Sequence, residues 1–123
     1  MGRSLDGRSI LVVEGEPVIA LDIAHAFECA GAHVVIGRSL KRALALVDAH
    51  GWSAAVLDPE LGDGDSSRLC EQLKERDIPY VLYSAGGPVG EACRDGVRVF
   101  MPAGPVLLVR TVEKLVQGGS HSS

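Results

Sequence analysis

The sequence is poor in the features that mark several large classes of protein. Aromatic residues make up only 4% of its 123 residues, and Lys and Arg form no runs. A formal net charge of −4 without a basic cluster argues against a nucleic-acid-binding surface. No apolar stretch is long enough to cross a bilayer, and residues 1–8 lack the apolar segment of a signal peptide. We therefore expect a soluble cytoplasmic protein that binds neither nucleic acid nor membrane.

Cysteine and histidine are too few and too scattered to indicate a metal centre of the zinc type. Cys29, Cys70 and Cys93 show no Cys-x-x-Cys spacing, and the four histidines are equally dispersed. We expect these cysteines to be reduced and mostly buried as small apolar side chains. Hydrophobic residues, by contrast, make up 46% of the chain, which is enough for one domain with an aliphatic core.

Short apolar runs alternate with segments whose apolar residues recur at helical spacing. The runs are typical of strands buried on both faces, and the segments are typical of amphipathic helices. Four glycines and a proline within residues 85–96 predict that the helix expected there is short or mobile. We expect one domain over residues 9–117, with flexible termini at residues 1–8 and 118–123. Predicted strands cover residues 9–13, 32–36, 54–57, 80–83 and 97–101, and the other predicted helices span residues 17–30, 39–50, 65–76 and 105–117.

This alternation predicts an α/β fold, a flavodoxin-like (βα)5 sandwich with a parallel sheet in the strand order 2-1-3-4-5. Its strands would deliver Glu14, Glu16, Asp58 and Ser84 to one edge, where α/β proteins commonly bind ligands. Converging carboxylates suit a hard cation such as Mg²⁺, and a hydroxyl suits a phosphoryl oxygen. The alternative for Asp58 is a turn former or a helix cap.

Four stretches lie along this edge, at residues 10–17, 56–65, 82–85 and 104–105. Together they resemble a bacterial response-regulator receiver domain, and the resemblance extends over residues 9–117. It implies that Asp58 accepts a phosphoryl group from a phosphohistidine on a sensor histidine kinase or a phosphotransfer protein. It also implies that Ser84 is the hydroxyl that reorients toward the phosphoryl group. The implied cofactor is Mg²⁺, held by Glu14, Asp58 and the backbone carbonyl of Glu60.

Two positions depart from the receiver pattern. Gly15 stands where the family has the second of two adjacent acids, which is its main metal ligand. Gly104 stands where the family has a lysine that neutralises the phosphoryl group. Both changes remove attraction for a negatively charged group in transfer, and phosphoryl-transfer catalysis depends mostly on that attraction.

Two further assignments stay open at the level of sequence. A different cation could replace the missing lysine, and the candidates are Arg94 and Arg98. The switch aromatic of the family falls on Phe100 or on Met101, depending on how the last strand is aligned.

The resulting hypothesis is a single-domain receiver, not an enzyme beyond its own phosphorylation and dephosphorylation, that signals by binding a downstream protein target. The alternative is a pseudo-receiver adaptor that binds its partner without phosphorylation. A flavodoxin fits poorly, because the acidic loop at residues 14–17 would repel phosphate. A phosphatase of the haloacid-dehalogenase type would need a second Asp where this chain has Glu60. The cognate kinase, the regulated process and the oligomeric state stay undetermined.

Overall fold

A computed structural model describes residues 4–61, 64–84, 89–100 and 104–120 of the protein. Strands and helices alternate along the chain, as the apolar pattern predicts. The strands are β1 Ser9–Val13, β2 His33–Gly37, β3 Ala54–Leu57, β4 Glu60–Leu61, β5 Gly64–Asp65, β6 Tyr80–Ser84 and β7 Val97–Phe100. The helices are α1 Pro17–Cys29, α2 Leu40–Ala49, α3 Ser67–Glu75 and α4 Pro105–Ser120, with a 3-10 turn at Glu91–Cys93.

Five strands form a parallel sheet in the order β2-β1-β3-β6-β7. This is the predicted order 2-1-3-4-5, and the flavodoxin-like fold is confirmed. The central strands β3 and β6 are buried at every position, and β1 is buried from Ile10 to Val13. Strands with helices on both faces are apolar on both sides, and this explains the continuous apolar runs.

Helices cover the sheet on both faces. We call these the α1/α4 face and the α2/α3 face, after the helices that pack on them. Successive residues of a strand point to opposite faces, so each strand contributes to both layers. Buried residues on the α1/α4 face include Ile10, Val12, Ile23, Phe27, Val56, Val81, Leu108 and Val112. Buried residues on the α2/α3 face include Leu11, Val13, Ala43, Val47, Leu57, Leu69, Leu73 and Leu82.

The short antiparallel hairpin of β4 and β5 was not predicted, and it delays the start of α3 to Ser67. Ser66 helps to shape this connection. Its hydroxyl donates to the backbone carbonyls of Asp58, at 3.3 Å, and Pro59, at 3.1 Å. The helix predicted from about residue 65 is present but begins two residues later, because the loop before it pairs its backbone groups with each other.

Ordered structure begins before residue 9 and continues past residue 117. Leu5 is only 1% exposed, belongs to the α1/α4 core and donates its backbone N–H to the carbonyl oxygen of Ala30. Burying this side chain removes apolar surface from water, which stabilises the contact of Leu5 with the domain. At the other end, α4 continues to Ser120. Among the described residues, no helix is long and apolar enough to cross a membrane.

Between β6 and β7, the described residues 89–100 contain a single 3-10 turn, Glu91–Cys93, in agreement with the glycine-rich sequence. A disulfide joins Cys93 of this turn to Cys70 of α3, with the two Cα atoms 5.2 Å apart. The prediction that all three cysteines are reduced was therefore wrong, and only Cys29 is free and exposed. The two cysteines are 23 positions apart, so the sequence does not reveal the pairing, whereas packing brings them within bonding range.

Candidate functional site

Three predicted site residues lie at the carboxyl edge of the sheet. The backbone N–H of Asp58 donates to the carbonyl oxygen of Val13 at 2.9 Å, so Asp58 follows β3 beside the end of β1. Glu14 follows β1 directly and is anchored by its own N–H to the carbonyl oxygen of Gly37, at 3.1 Å. Ser84 is the last residue of β6, the strand that pairs with β3 on the other side. The parallel register therefore brings two carboxyl groups and a hydroxyl to one edge.

The carboxyl group of Glu14 lies in an unusual environment for an acid. Glu14 is only 4% exposed, and its Oε2 accepts the backbone N–H of Glu16 at 3.1 Å. Burial raises the pKa of Glu14, and the hydrogen bond from Glu16 opposes that rise. The charge of Asp58 and a hydrogen bond with its side chain raise the pKa further. The two carboxyl groups are thus close enough to share a proton or a cation.

The donor set at this edge fits Mg²⁺ better than a softer metal. Glu14 and Asp58 supply carboxylate oxygens, the hard ligands that Mg²⁺ takes in proteins. Mg²⁺ is commonly bound by one or two carboxylates, with waters and phosphate oxygens completing its octahedron. The residues that would hold it are Glu14, Asp58 and the backbone carbonyl of Glu60, which begins β4.

The two departures from the receiver pattern are not forced by crowding. A Cβ atom at Gly15 would lie 3.4 Å from the carbonyl oxygen of Arg38, an ordinary van der Waals contact. Within the described residues, no atom lies within 4 Å of the position that a Cβ would take at Gly104. Both positions therefore have room for a side chain.

Ser84 has a cationic neighbour. An Nη2 hydrogen of Arg98 is donated to the Oγ of Ser84 across 3.3 Å. The Cζ of Arg98 also lies 4.9 Å from the centre of the Phe100 ring. Arg98 pairs in register with Leu82, and Ser84 pairs with Phe100, so all four residues share the α2/α3 face.

Several solved structures are similar to the chain over most of its length. A CheY-like receiver domain protein from Methanospirillum hungatei has a TM-score of 0.84 at 18% identity, covering 94% of this chain and 98% of its own. The receiver domain of a sensor histidine kinase from Pseudomonas aeruginosa has a TM-score of 0.78 at 20% identity, covering 90% and 98%. That domain was crystallised with a magnesium ion coordinated in its active-site cleft.

The response regulator PhyR from Brucella abortus has a TM-score of 0.79 at 25% identity, covering 94% of this chain and 50% of its own. The chain has the fold of a response-regulator receiver domain. No family model and no curated protein matches the sequence, so this assignment depends on the three-dimensional likeness.

The receiver fold brings Glu14, Asp58 and Ser84 to one edge, as the sequence predicts. Arg98 is the cationic neighbour of Ser84. The sequence left Arg94 and Arg98 as alternatives, and the alternation of side chains between the two faces of β7 could have indicated Arg98. Arg94 is exposed and follows the 3-10 turn. Phe100 is the register partner of Ser84, whereas the other candidate for the switch aromatic, Met101, lies outside the described residues.

Proposed function

We propose that this protein is a signalling receiver that accepts a phosphoryl group on Asp58 and then binds a downstream protein. The donor would be a phosphohistidine on a sensor histidine kinase or a phosphotransfer protein. The observation that supports this most directly is the position of Asp58 at the end of β3, beside the buried Glu14 and one strand from Ser84. The receiver fold of the chain agrees with the same function.

In the proposed reaction, a carboxylate oxygen of Asp58 attacks the phosphorus of the phosphohistidine. The new P–O bond forms as the P–N bond breaks, and the imidazole leaves with the electron pair of that bond. Mg²⁺, when bound, supplies positive charge to the phosphoryl oxygens. Glu14 would hold the cation on the β1 side, and the Ser84 hydroxyl would donate a hydrogen bond to a phosphoryl oxygen.

The two glycine positions support a second candidate function. Gly15 supplies no carboxylate and Gly104 supplies no cation, although both positions have room for a side chain. A site with less positive charge stabilises the transferred group less. A pseudo-receiver adaptor, which binds its partner without phosphorylation, would account for these two residues.

Intact-protein mass spectrometry distinguishes the receiver from the pseudo-receiver adaptor. The protein is measured after incubation with a small-molecule phosphodonor and Mg²⁺. The receiver proposal expects one phosphoryl adduct that depends on Mg²⁺ and is absent from the Asp58→Asn variant, whose amide keeps the shape of the carboxyl group. A lack of adduct from both the phosphodonor and a phosphorylated histidine protein would favour the adaptor.

The open space at Gly15 and Gly104 permits a sharper version of this experiment. The Gly15→Asp/Gly104→Lys variant restores the acid and the cation of the receiver pattern at two positions where an added Cβ meets no described atom closer than 3.4 Å. A faster adduct in this variant than in the native chain would show that the two missing charges limit the reaction. Gly51→Asp is a matched control, because that position is exposed and also has no described atom near its Cβ.

A further inference from the structure

The disulfide between Cys70 and Cys93 joins two elements that are packed into the domain to very different degrees. Cys70 belongs to α3, where its neighbours Leu69 and Leu73 are fully buried in the core of the α2/α3 face. Cys93 ends the three-residue turn and is the only buried residue in the described segment 89–98. Apart from the disulfide, the turn therefore has little to hold it against α3.

Both cysteines are shielded from solvent. Cys70 is 0% exposed and Cys93 is 1% exposed, so a reductant reaches the bond only when one of the two elements moves aside. Moving α3 would expose the apolar layer beneath the helix. Moving the turn exposes Cys93 and breaks the hydrogen bond from the Tyr80 hydroxyl to the carbonyl oxygen of Ala92. Opening of the turn is the less costly motion, because it brings less apolar surface into water.

The surroundings of Cys93 suit a thiol as well as a disulfide. Its Sγ lies 3.5 Å from the carbonyl oxygen of Ser66. A disulfide sulfur has no hydrogen to donate, whereas the thiol formed on reduction can donate one to this oxygen. The same oxygen accepts the backbone N–H of Cys70 at 2.9 Å and has a second lone pair for the thiol. A reduced Cys93 therefore has a hydrogen-bond acceptor already in place.

Ser66 also links Cys93 to the candidate site. Its hydroxyl donates to the carbonyl oxygens of Asp58, at 3.3 Å, and Pro59, at 3.1 Å. Through its carbonyl it contacts the sulfur of Cys93, and through its hydroxyl it holds the backbone that follows β3. The disulfide is thus two contacts away from the backbone of Asp58.

We propose that Cys70 and Cys93 form a reversible redox site, and that reduction of their bond by a protein dithiol releases the turn. A thiolate of the dithiol attacks the Sγ of Cys93, and Cys70 leaves as a thiolate that takes up a proton. The second thiolate of the dithiol then attacks the dithiol's own sulfur in the mixed disulfide, and Cys93 leaves and is protonated in turn. Two electrons and two protons pass to the protein, and the dithiol becomes a disulfide. The oxidised dithiol reverses the reaction.

The surface that changes is the described segment 89–96. Two thiols need more room than a disulfide, because their sulfur atoms are no longer bonded, and the turn gives way more easily than α3. Gly90 lies so close to α3 that an added Cβ would be 2.5 Å from the Oγ of Ser67. Displacement of the turn therefore uncovers the start of α3. This inference goes beyond the proposed receiver function and does not depend on it.

A redox titration of the full chain tests whether the site is reversible. The native protein is equilibrated without denaturant in mixtures of reduced and oxidised thioredoxin, a protein dithiol, and its thiols are counted by alkylation and mass spectrometry. One thiol, that of Cys29, is expected in oxidising mixtures and three in reducing ones. Reduced and oxidised protein should give the same curve. Cys29→Ser, which removes the exposed thiol, should keep this curve with one thiol fewer throughout.

Amide hydrogen exchange in the two forms tests whether the turn is released. On reduction, the amides of Cys93, Arg94 and Gly96 should exchange about tenfold faster or more, since a local loss of about 1.4 kcal/mol gives that factor. Amides of α1, on the opposite face, should keep their rates. Cys70→Ser/Cys93→Ser should match the reduced protein in every mixture.

Three results would overturn the inference. A bond that thioredoxin leaves intact in the folded protein would be a fixed structural link, and a reduced protein that oxidised thioredoxin does not restore would not be a reversible site. Reduction without faster exchange in the turn would show that the bond does not hold the turn. Each result comes from the native chain, so misfolding of a variant leaves the test intact. None of them involves a phosphoryl group on Asp58, so the proposed function stands or falls separately.

Discussion

The α1/α4 face is closed by helices of 13 and 16 residues, whereas the α2/α3 face has a turn of three residues in the segment where a further helix was expected. The first face is held by a continuous layer of buried apolar side chains. The second also uses a covalent bond, because Cys93 of the turn is joined to Cys70 of α3. A turn of three residues buries little apolar surface, so other interactions must hold it in place.

Contacts of Tyr80 also hold the turn in place. Tyr80 donates its hydroxyl hydrogen to the carbonyl oxygen of Ala92 at 3.2 Å. Gly96 lies so close to the ring of Tyr80 that a Cβ there would be 2.5 Å from a ring carbon. The sheet keeps its strand order although helices cover its two faces unequally. Where the three-residue turn buries little apolar surface, a disulfide and a side-chain hydrogen bond hold it in place. Four variants test this difference.

The largest loss of stability is expected on the α1/α4 face. Phe27 is fully buried there, and Phe27→Ala should lower the free energy of unfolding by about 3–5 kcal/mol because it leaves a cavity. Urea denaturation measures this change. Phe100→Ala is the control, since its ring is 54% exposed and its removal should cost much less. Equal losses in the two variants would contradict the assignment of Phe27 to the core.

On the α2/α3 face the disulfide should matter most. The Cys70→Ala/Cys93→Ala variant should lose about 3 kcal/mol in free energy of unfolding, because the bond closes a loop of 23 residues in the unfolded chain. Hydrogen exchange should also become faster in residues 91–96. Cys29→Ala, which removes the exposed free thiol, should change neither quantity. A double variant as stable as the native protein would mean that the turn needs no covalent anchor.

A smaller effect is expected from the hydrogen bond of Tyr80. Tyr80→Phe keeps the ring against Gly96 but removes the hydroxyl that binds Ala92, which should cost about 1 kcal/mol. Hydrogen exchange of the turn is the measurement. Tyr83→Phe is a matched control because Tyr83 is buried on the α1/α4 face. If both variants change exchange in the turn equally, the anchor is not specific.

The smallest change in stability is expected for Glu14, at the carboxyl edge of the sheet, and it should be an increase rather than a loss. The pKa of Glu14 is raised in the folded protein by burial and by Asp58, so the folded state binds more protons than the unfolded chain. The contribution of this residue to stability therefore falls as pH rises from its ordinary pKa through the raised one. Glu14→Gln should slightly raise Tm at neutral pH and change it little in acid.

Mg²⁺ provides the control for this last variant. The cation should raise the Tm of the native protein at neutral pH, because it compensates the two carboxylates at the edge. It should not raise the Tm of Glu14→Gln if Glu14 is a ligand. An equal Mg²⁺ effect in both proteins would remove Glu14 from the proposed metal site.

The sequence alone determined the fold class and the edge on which the site lies. Apolar residues follow one another without a break in residues 10–13, 54–57 and 80–83, and such runs are typical of strands covered on both faces. Serine is a residue type that favours the N-cap position, and the hydroxyl of Ser39 accepts the backbone N–H of Arg42 at the start of α2. The place of Asp58 followed from the strand before it and the Pro/Gly-rich loop after it. These are local patterns, which a chain carries regardless of its distant neighbours.

Only the tertiary structure decided which distant side chains meet. The disulfide joins residues 23 positions apart, and Leu5 enters the core from a segment with no periodic pattern. The sequence left open whether Arg94 or Arg98 lies near the candidate site, and the register of β6 and β7 places Arg98 against Ser84. Contacts of this kind depend on the relative position of strands and helices, and a one-residue change of register would turn every side chain of a strand to the other face.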